Sequence, residues 1–160
     1  MNNAALKPDT HDIEVDEVFP HTPETIWKAL TIGDLIARWM MAPTGFAPVT
    51  GKRFTFKTKP AGAWDGTIHC QVLEAVPNER LAYSWAGGHE ANLGYGSRLE
   101  TVVTWDLIAL ENGTRVRVVH SGFVLPRNDT AYRNMSDGWT KVVRNLNAIA
   151  AEQGSAKKRS

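Results

Sequence analysis

Two residues of this chain, His120 and Cys70, could carry acid–base or nucleophilic chemistry from an inward-facing position. Alternation along the two predicted strands places each side chain on the apolar face of a sheet. An imidazole has an unperturbed pKa of about 6.5, so His120 could exchange a proton with a bound molecule near neutral pH. The competing interpretation is a core histidine that is hydrogen-bonded to a backbone group or to water.

Cys70 and His120 also have the residue types of a nucleophilic cysteine–histidine pair. Nothing in the surrounding sequence would lower the pKa of the thiol, and buried thiols usually only pack against apolar neighbours. We therefore predict no catalytic residue. If the protein is an enzyme after all, the candidates for proton transfer are His120, Glu100 and Tyr83.

The remaining histidines do not predict a metal site. They lack the i,i+2 or i,i+4 spacing of metal ligands, and the chain has no HExxH or paired acidic motif; these histidines are His11, His21, His69 and His89. Cys70 is the only cysteine, which excludes an intramolecular disulfide and agrees with a reducing compartment. We therefore predict neither a metal nor another cofactor.

Aromatic side chains form the second set of functional candidates. The chain has six tryptophans, and a bent sheet covered by a helix leaves apolar space in which a small molecule could lie. Large aromatics also fill protein cores, so core packing is the competing interpretation for each of them. Trp64 is predicted near this face, and the residues predicted to line the cavity are Trp39, Phe56, Cys70, Tyr83, Trp85, Trp105, His120, Met135 and Trp139.

The elements that position these candidates begin with a strand and two short helices. Residues 12–19 alternate apolar and acidic side chains, which predicts a strand with one solvated face. Thr22 can then cap a helix, and Pro23 suits its first position. A second short helix is predicted over residues 32–39.

Five further strands are predicted at residues 53–57, 66–75, 80–85, 97–110 and 114–120. Their short connections favour antiparallel pairing, and the clearest hairpin is at Asn112-Gly113, a pair that readily takes positive φ. The last element is a helix over residues 136–153 with Ser136-Asp137 at its start, predicted to lie across the sheet. Its apolar stripe consists of Trp139, Val142 or Val143, Leu146, Ile149 and Ala150.

Two irregular segments are predicted to border the mouth of the cavity. Residues 86–96 are rich in glycine but precede a strand, so we interpret them as a flexible lip and not as a phosphate-binding loop. Residues 121–136 carry apolar side chains that could either plug the edge of the core or gate ligand entry.

Length and composition predict one domain over residues 11–153, with disordered tails at 1–10 and 154–160. The chain is 42% hydrophobic with a formal net charge of +1, which disfavours disorder, a membrane span and nucleic-acid binding. The N-terminus lacks the basic and apolar regions of a signal peptide. A cytoplasmic protein is therefore expected.

The order of the elements resembles the START-like (SRPBCC) superfamily. The resemblance implies its α+β helix-grip (Bet v-like) fold: a bent antiparallel sheet of about six strands wraps around a long C-terminal helix, with two short helices after the first strand. The segments VLEAVPNERLAYSW (72–85), GTRVRVVHSGF (113–123) and GWTKVVRNL (138–146) are similar to motifs of one subgroup. That subgroup is named after the C-terminal domain of the activator of the heat-shock-protein-90 ATPase, a stress-response protein.

Three functions remain open, and they are given in the order in which the sequence favours them. The first is binding of a hydrophobic or aromatic small molecule in the internal cavity without catalysis. The second, implied by the resemblance, is an interaction that modulates a chaperone ATPase. The third is a cyclase/aromatase-like or hydrolase activity that uses His120. The protein is expected to be a monomer or a homodimer.

Overall fold

The computed structural model describes residues 10–93 and 96–159, with side chains described through residue 153. In chain order the elements are β1 (Thr10–Phe19), α1 (Pro23–Thr31), α2 (Gly33–Trp39), β2 (Arg53–Lys57), β3 (Thr67–Val76), β4 (Arg80–Gly87), β5 (Leu99–Leu110), β6 (Gly113–Val124) and α3 (Asp129–Arg159). The strands form one antiparallel sheet in the order β1-β6-β5-β4-β3-β2. The predicted α+β helix-grip fold is confirmed. The predicted domain bounds at residues 11 and 153 stay predictions.

Helix α1 begins as its sequence predicts. The Thr22 side-chain oxygen accepts a hydrogen bond from the backbone N–H of Thr25 at 3.2 Å, and Pro23 occupies the first turn. This cap satisfies one of the backbone donors that a helix start leaves unpaired. Ile26, Ala29 and Leu30 of α1 are buried against the rest of the core.

Two β-bulges bend the sheet around its inner face. Leu73 is skipped in the pairing of β3 with β4, and Gly122 is skipped in the pairing of β6 with β1. Gly122 has a φ of 102°, a backbone conformation that favours glycine. An extra residue on one strand increases the local twist and bends the strand, so each bulge bends the sheet where it lies.

The start of α3 differs from the prediction. The helix begins at Asp129, and Asn128 takes the N-cap position because its carbonyl oxygen accepts from the N–H of Tyr132 at 2.8 Å. Ser136, the predicted cap, lies inside the helix and donates its hydroxyl to the Tyr132 carbonyl at 2.7 Å. Both positions offer a polar residue followed by aspartate, and the structure uses the first. The segment 121–136 is therefore mostly strand and helix, with a short turn after Val124.

The hairpin between β5 and β6 is confirmed, but the reason for a glycine at position 113 is not positive φ. Leu110 pairs with Gly113, and neither Asn112 nor Gly113 has positive φ. A Cβ on Gly113 would lie 2.3 Å from the carbonyl oxygen of Phe19. The glycine therefore permits the close approach of β1.

The C-terminal helix buries the predicted stripe against the inner face of the sheet. The helical spacing left open whether Val142 or Val143 belongs to the buried stripe. Val143 is 1% exposed, whereas Val142 is only half-buried, so the stripe contains Val143. On the opposite, solvated face of the sheet, Arg115 pairs with Asp16, and Arg117 pairs with Glu14 at 2.9 Å. The alternation of β6 thus separates an apolar inner face from a charged outer face.

Candidate ligand-binding cavity

A cavity of about 250 Å³ lies between α3 and one end of the inner face of the sheet. The helix presents one face to it, because the residues that border the cavity recur three and four positions apart. These residues are Ala131, Asn134, Met135, Gly138, Trp139 and Val142. The opposite walls come from β3, β4 and β5 and from the loops that join β2 to β3 and β4 to β5.

Three tryptophans line the cavity: Trp64 from the β2–β3 loop, Trp85 from β4 and Trp139 from α3. Trp85 and Trp139 are each 5% exposed, and their ring centroids are 6.4 Å apart. The indole N–H of Trp64 donates to the carbonyl oxygen of Thr67 at 2.9 Å, and that of Trp139 donates to Nδ1 of His120 at 3.0 Å. Because these two N–H groups already have protein partners, Trp64 and Trp139 offer a ligand their ring carbons.

Met40, Met41 and Met135 complete the apolar wall. A methionine side chain has three rotatable bonds and a polarisable sulfur, so it can adapt to the outline of a bound molecule. Met40 and Met41 follow directly after α2, whereas Met135 comes from α3. The apolar wall therefore joins the two helices across the cavity.

Among the described residues, no aspartate, glutamate, histidine, lysine, arginine, cysteine or tyrosine side chain borders the cavity. Its polar side chains are Thr58, Ser97 and the exposed Asn134. The Ser97 hydroxyl already donates to the carbonyl oxygen of Arg127 at 3.2 Å. Burying an unpaired charge is costly, so this lining favours an uncharged ligand.

His120 lies behind the cavity wall with both ring nitrogens occupied. Nδ1 accepts from the indole of Trp139, and Nε2 is 2.6 Å from the hydroxyl of Thr101. That hydroxyl donates its only proton to the carbonyl oxygen of Trp85 at 2.9 Å, so it must accept from His120. The neutral Nε2–H tautomer satisfies the whole network, and burial lowers the pKa of His120 to about 3. His120 thus has no free nitrogen for a ligand.

The other candidates for proton transfer are also poorly suited to it. Burial raises the pKa of the Cys70 thiol to about 12 and raises the pKa of the Tyr83 phenol. The Tyr83 oxygen accepts from the Trp105 indole at 3.2 Å. Glu100 is exposed, and its hydrogen bond with Arg98 at 2.8 Å holds the pKa of that carboxyl below its ordinary value.

The structure brings three of the predicted cavity residues to the cavity wall, namely Trp85, Met135 and Trp139. The others are buried and pack behind that wall: Trp39, Phe56, Cys70, Tyr83, Trp105 and His120. The strand residues of this set lie on the inner face of the sheet, to which alternation assigned Cys70 and His120. The helices fill most of that face with their own side chains, so only one end of it borders empty space.

Several lining residues were not among the predicted cavity residues. Met40 and Met41 follow the end of α2, and Trp64 belongs to the aromatic set but lies in a loop. Gly138 begins the Gly-Trp motif of α3 and borders the cavity without a side chain. The sequence signal for Trp64 is its position between two glycines, Gly62 and Gly66, which indicates a turn. In the structure both glycines have positive φ.

The side chain of Asn92 joins the two loops that form the rim. Its amide nitrogen donates to the carbonyl oxygen of Ala61 at 2.6 Å and to that of Gly96 at 3.1 Å. Its amide oxygen accepts from the N–H of Ala63 at 3.2 Å. The predicted lip is therefore hydrogen-bonded to the β2–β3 loop, although residues 94 and 95 of the lip lie outside the described residues.

A model of one protein family matches residues 20–151, and its description is Activator of Hsp90 ATPase homolog 1-like protein. The match covers the sheet from β2 to β6, all of α1 and α2, and most of α3. The chain belongs to this family. The predicted resemblance is thereby confirmed, and the fold and the cavity described above are those of one member.

Solved structures agree with this assignment. The protein MLL2253 from Mesorhizobium loti is 32% identical with a TM-score of 0.76, over 89% of this chain and 98% of that chain. The Aha1 dimer from Colwellia psychrerythraea is 23% identical with a TM-score of 0.67, over 86% and 93%. CalU16 from Micromonospora echinospora is 20% identical with a TM-score of 0.65, over 92% and 85%. The last two show the shared fold.

A search of curated proteins found no match. Within the part of the chain that the structure describes, no helix is both long and apolar enough to cross a membrane. The same residues contain no group of three or more histidine, cysteine, aspartate or glutamate side chains placed to hold a metal ion.

Proposed function

We propose that this chain is a cytoplasmic binding protein that takes a compact, uncharged hydrophobic or aromatic molecule into its cavity and releases it unchanged. The observation that carries the proposal is a lining of three tryptophans and three methionines around about 250 Å³. Small-molecule sites are concave and mostly apolar, with a few polar groups that orient the ligand. Pockets for drug-sized ligands have volumes of about 300 Å³ or more, so the expected ligand is smaller.

The lining can supply enough free energy for specific binding. Removing apolar surface from water contributes roughly 25 cal/mol per Å², so burying about 200 Å² of ligand gives about 5 kcal/mol. Part of this offsets the entropy that the ligand loses. The full value of about 5 kcal/mol corresponds to a dissociation constant of about 0.2 mM, so dissociation constants between about 0.2 and 1 mM are expected.

The state of His120 supports binding without catalysis. A general base must reach the proton that it removes, and it works best with a pKa near the operating pH. His120 has both nitrogens hydrogen-bonded inside the protein and a pKa lowered to about 3. The alternative of a cyclase/aromatase-like or hydrolase reaction through His120 would first require this network to open.

Binding can be tested with N-phenylnaphthylamine, an uncharged probe whose fluorescence rises in apolar surroundings. Ala131 borders the cavity, whereas Ala148 is exposed on the same helix. We expect the probe to bind the wild type, Ala131→Phe to weaken binding at least tenfold, and Ala148→Phe to leave it unchanged. Absence of binding to the wild type, or equal binding by the two variants, would contradict the proposal.

Modulation of a chaperone ATPase is the second candidate function, and the family match favours it. The family model carries the name of the Hsp90 ATPase activator, and the fold is shared with the Aha1 dimer of Colwellia psychrerythraea. The test is the turnover of the heat-shock-protein-90 of the same organism with increasing amounts of this protein. Unchanged turnover at saturation excludes the second candidate. An effect that survives Ala131→Phe would place the interaction on the surface and not in the cavity.

A further inference from the structure

Helix α3 contains a glycine, Gly138, that the helical backbone does not require. Gly138 lies inside the helix Asp129–Arg159, far from both ends, and its φ is not positive. A glycine in a helix interior destabilises the helix relative to alanine, because it loses more backbone entropy on folding. Its presence therefore needs another reason.

The surroundings of Gly138 would accept a side chain. A Cβ built at this position meets no heavy atom within 4 Å, apart from the neighbouring turns of its own helix backbone. Two other glycines of the cavity wall differ: a Cβ on Gly88 would lie 2.1 Å from the Ser97 carbonyl oxygen, and one on Gly96 would lie 2.8 Å from the Asn92 amide nitrogen. Both of these also have positive φ. Backbone geometry explains Gly88 and Gly96, but it does not explain Gly138.

The open space beside Gly138 belongs to the cavity. Gly138 borders it at the middle of the lining face of α3, one helical turn from Asn134 and Met135 on one side and from Val142 on the other. Without a side chain at this point, the backbone of the helix itself forms part of the wall. The space that a side chain at position 138 would fill therefore lies beside Trp139, the next residue of the lining.

We propose that Gly138 determines the size and shape of the molecule that the cavity accepts: the missing side chain lets a flat, uncharged system of linked or fused aromatic rings lie against the backbone of α3. The neighbouring faces of Trp85 and Trp139 suit aromatic rings, which stack or meet edge to face. This inference rests on the proposed binding function and names the class of ligand for that same site.

Two probes of different size test the inference on the full-length protein. Para-fluorophenol, with one ring, is followed by fluorine NMR, and N-phenylnaphthylamine, with a fused pair and a linked ring, is followed by fluorescence. We expect the wild type to bind both. Gly138→Leu should bind para-fluorophenol within twofold of the wild type and lose at least tenfold in affinity for N-phenylnaphthylamine. The affinity of Gly138→Ala for N-phenylnaphthylamine should lie between those of the wild type and Gly138→Leu. Ala148→Leu, at an exposed position of α3, is the matched control and should change neither affinity.

A thermal unfolding experiment separates this role from a structural one. Gly138→Ala should raise the unfolding midpoint by about 2–4 °C, because alanine favours the helix and meets no neighbour. If the glycine were needed for packing, its replacement by alanine would instead lower the unfolding midpoint.

The outcomes distinguish this inference from the function on which it rests. If the wild type binds both probes and Gly138→Leu binds both equally well, or if Gly138→Ala lowers the midpoint, the role of Gly138 is overturned and the binding function stands. If the wild type binds neither probe, the binding function is overturned, and the role of Gly138 with it.

Discussion

The inner face of the sheet has two regions that are built from similar residues and differ in outcome. The first, called here the packed cluster, consists of Trp39, Phe54, Tyr83, Trp105 and His120, which are all at most 3% exposed. Trp39 meets Trp105 edge to face with centroids 5.6 Å apart, and Phe54 meets Tyr83 in the same way at 5.4 Å. His120 meets Trp139, on the cavity wall, edge to face at 5.7 Å. The second is the cavity, whose walls carry tryptophan and methionine around empty space.

The difference shows that aromatic content alone does not make a cavity. In the packed cluster a large side chain of α2, Trp39, fills the space above Trp105, and its indole N–H donates to the Ala29 carbonyl of α1 at 2.8 Å. At the cavity, α3 presents two small residues, Ala131 and Gly138, among its larger lining side chains. The size of the opposing residue decides whether an aromatic wall becomes core or pocket.

The largest expected effect comes from truncating one tryptophan in each region. Trp105→Ala should lower the free energy of unfolding by about 3–5 kcal/mol, because Trp105 is fully buried and its removal leaves a cavity. Trp64→Ala should cost less than half as much and should weaken binding of N-phenylnaphthylamine. Urea unfolding measures both losses. Equal losses would mean that the two regions are not different in packing.

The pH dependence of stability should come next in size. The pKa of His120 is about 3 in the folded protein and about 6.5 in the unfolded chain, so the unfolded chain binds more protons between these values. The stabilising effect of the neutral, buried imidazole is complete above pH 6.5 and is lost as the pH falls toward 3. The expected slope approaches about 1.4 kcal/mol per pH unit below pH 6, which amounts to about 1.6 kcal/mol between pH 6.5 and 5.

His120→Gln is the control for this pH dependence. The variant is expected to be less stable at every pH, but the slope between pH 6.5 and 5 should decrease because the titrating group is gone. Urea unfolding at several pH values measures the slope. An unchanged slope would show that His120 is already accessible to protons in the folded state, and the packed cluster would then be more open than described.

The smallest effect is expected at the rim of the cavity. Asn92→Ala removes two part-buried hydrogen bonds, to the carbonyls of Ala61 and Gly96, and one exposed hydrogen bond from the N–H of Ala63. The loss of stability should therefore be about 1 kcal/mol. Because these bonds join the two rim loops, the release rate of N-phenylnaphthylamine should rise. Stopped-flow fluorescence measures that rate, and Asn145→Ala on the exposed side of α3 serves as the control. A rate equal to that of the wild type would show that the rim does not limit release.

The elements of the fold could be predicted from the sequence because each depends on nearby residues. Alternation identified the strands, whose bounds are within two residues of the prediction except for the end of β6. Thr22 and Pro23 located the start of α1. Helix α3 was harder, since both Asn128-Asp129 and Ser136-Asp137 offer a polar cap. Asn128 is 2% exposed, and its amide donates to the Arg98 carbonyl at 2.8 Å, a contact between distant segments that no local pattern contains.

By itself the sequence determined which side chains face inward, and the tertiary structure alone decided which of them border empty space. The spacing of residues along a strand or a helix is a local property, so Trp85, Trp105 and His120 could all be assigned to one face from the sequence. The cavity depends on what stands opposite each of them, which is Trp39 in one place and Gly138 in another. Packing density is a property of facing surfaces, and only the folded chain brings those surfaces together.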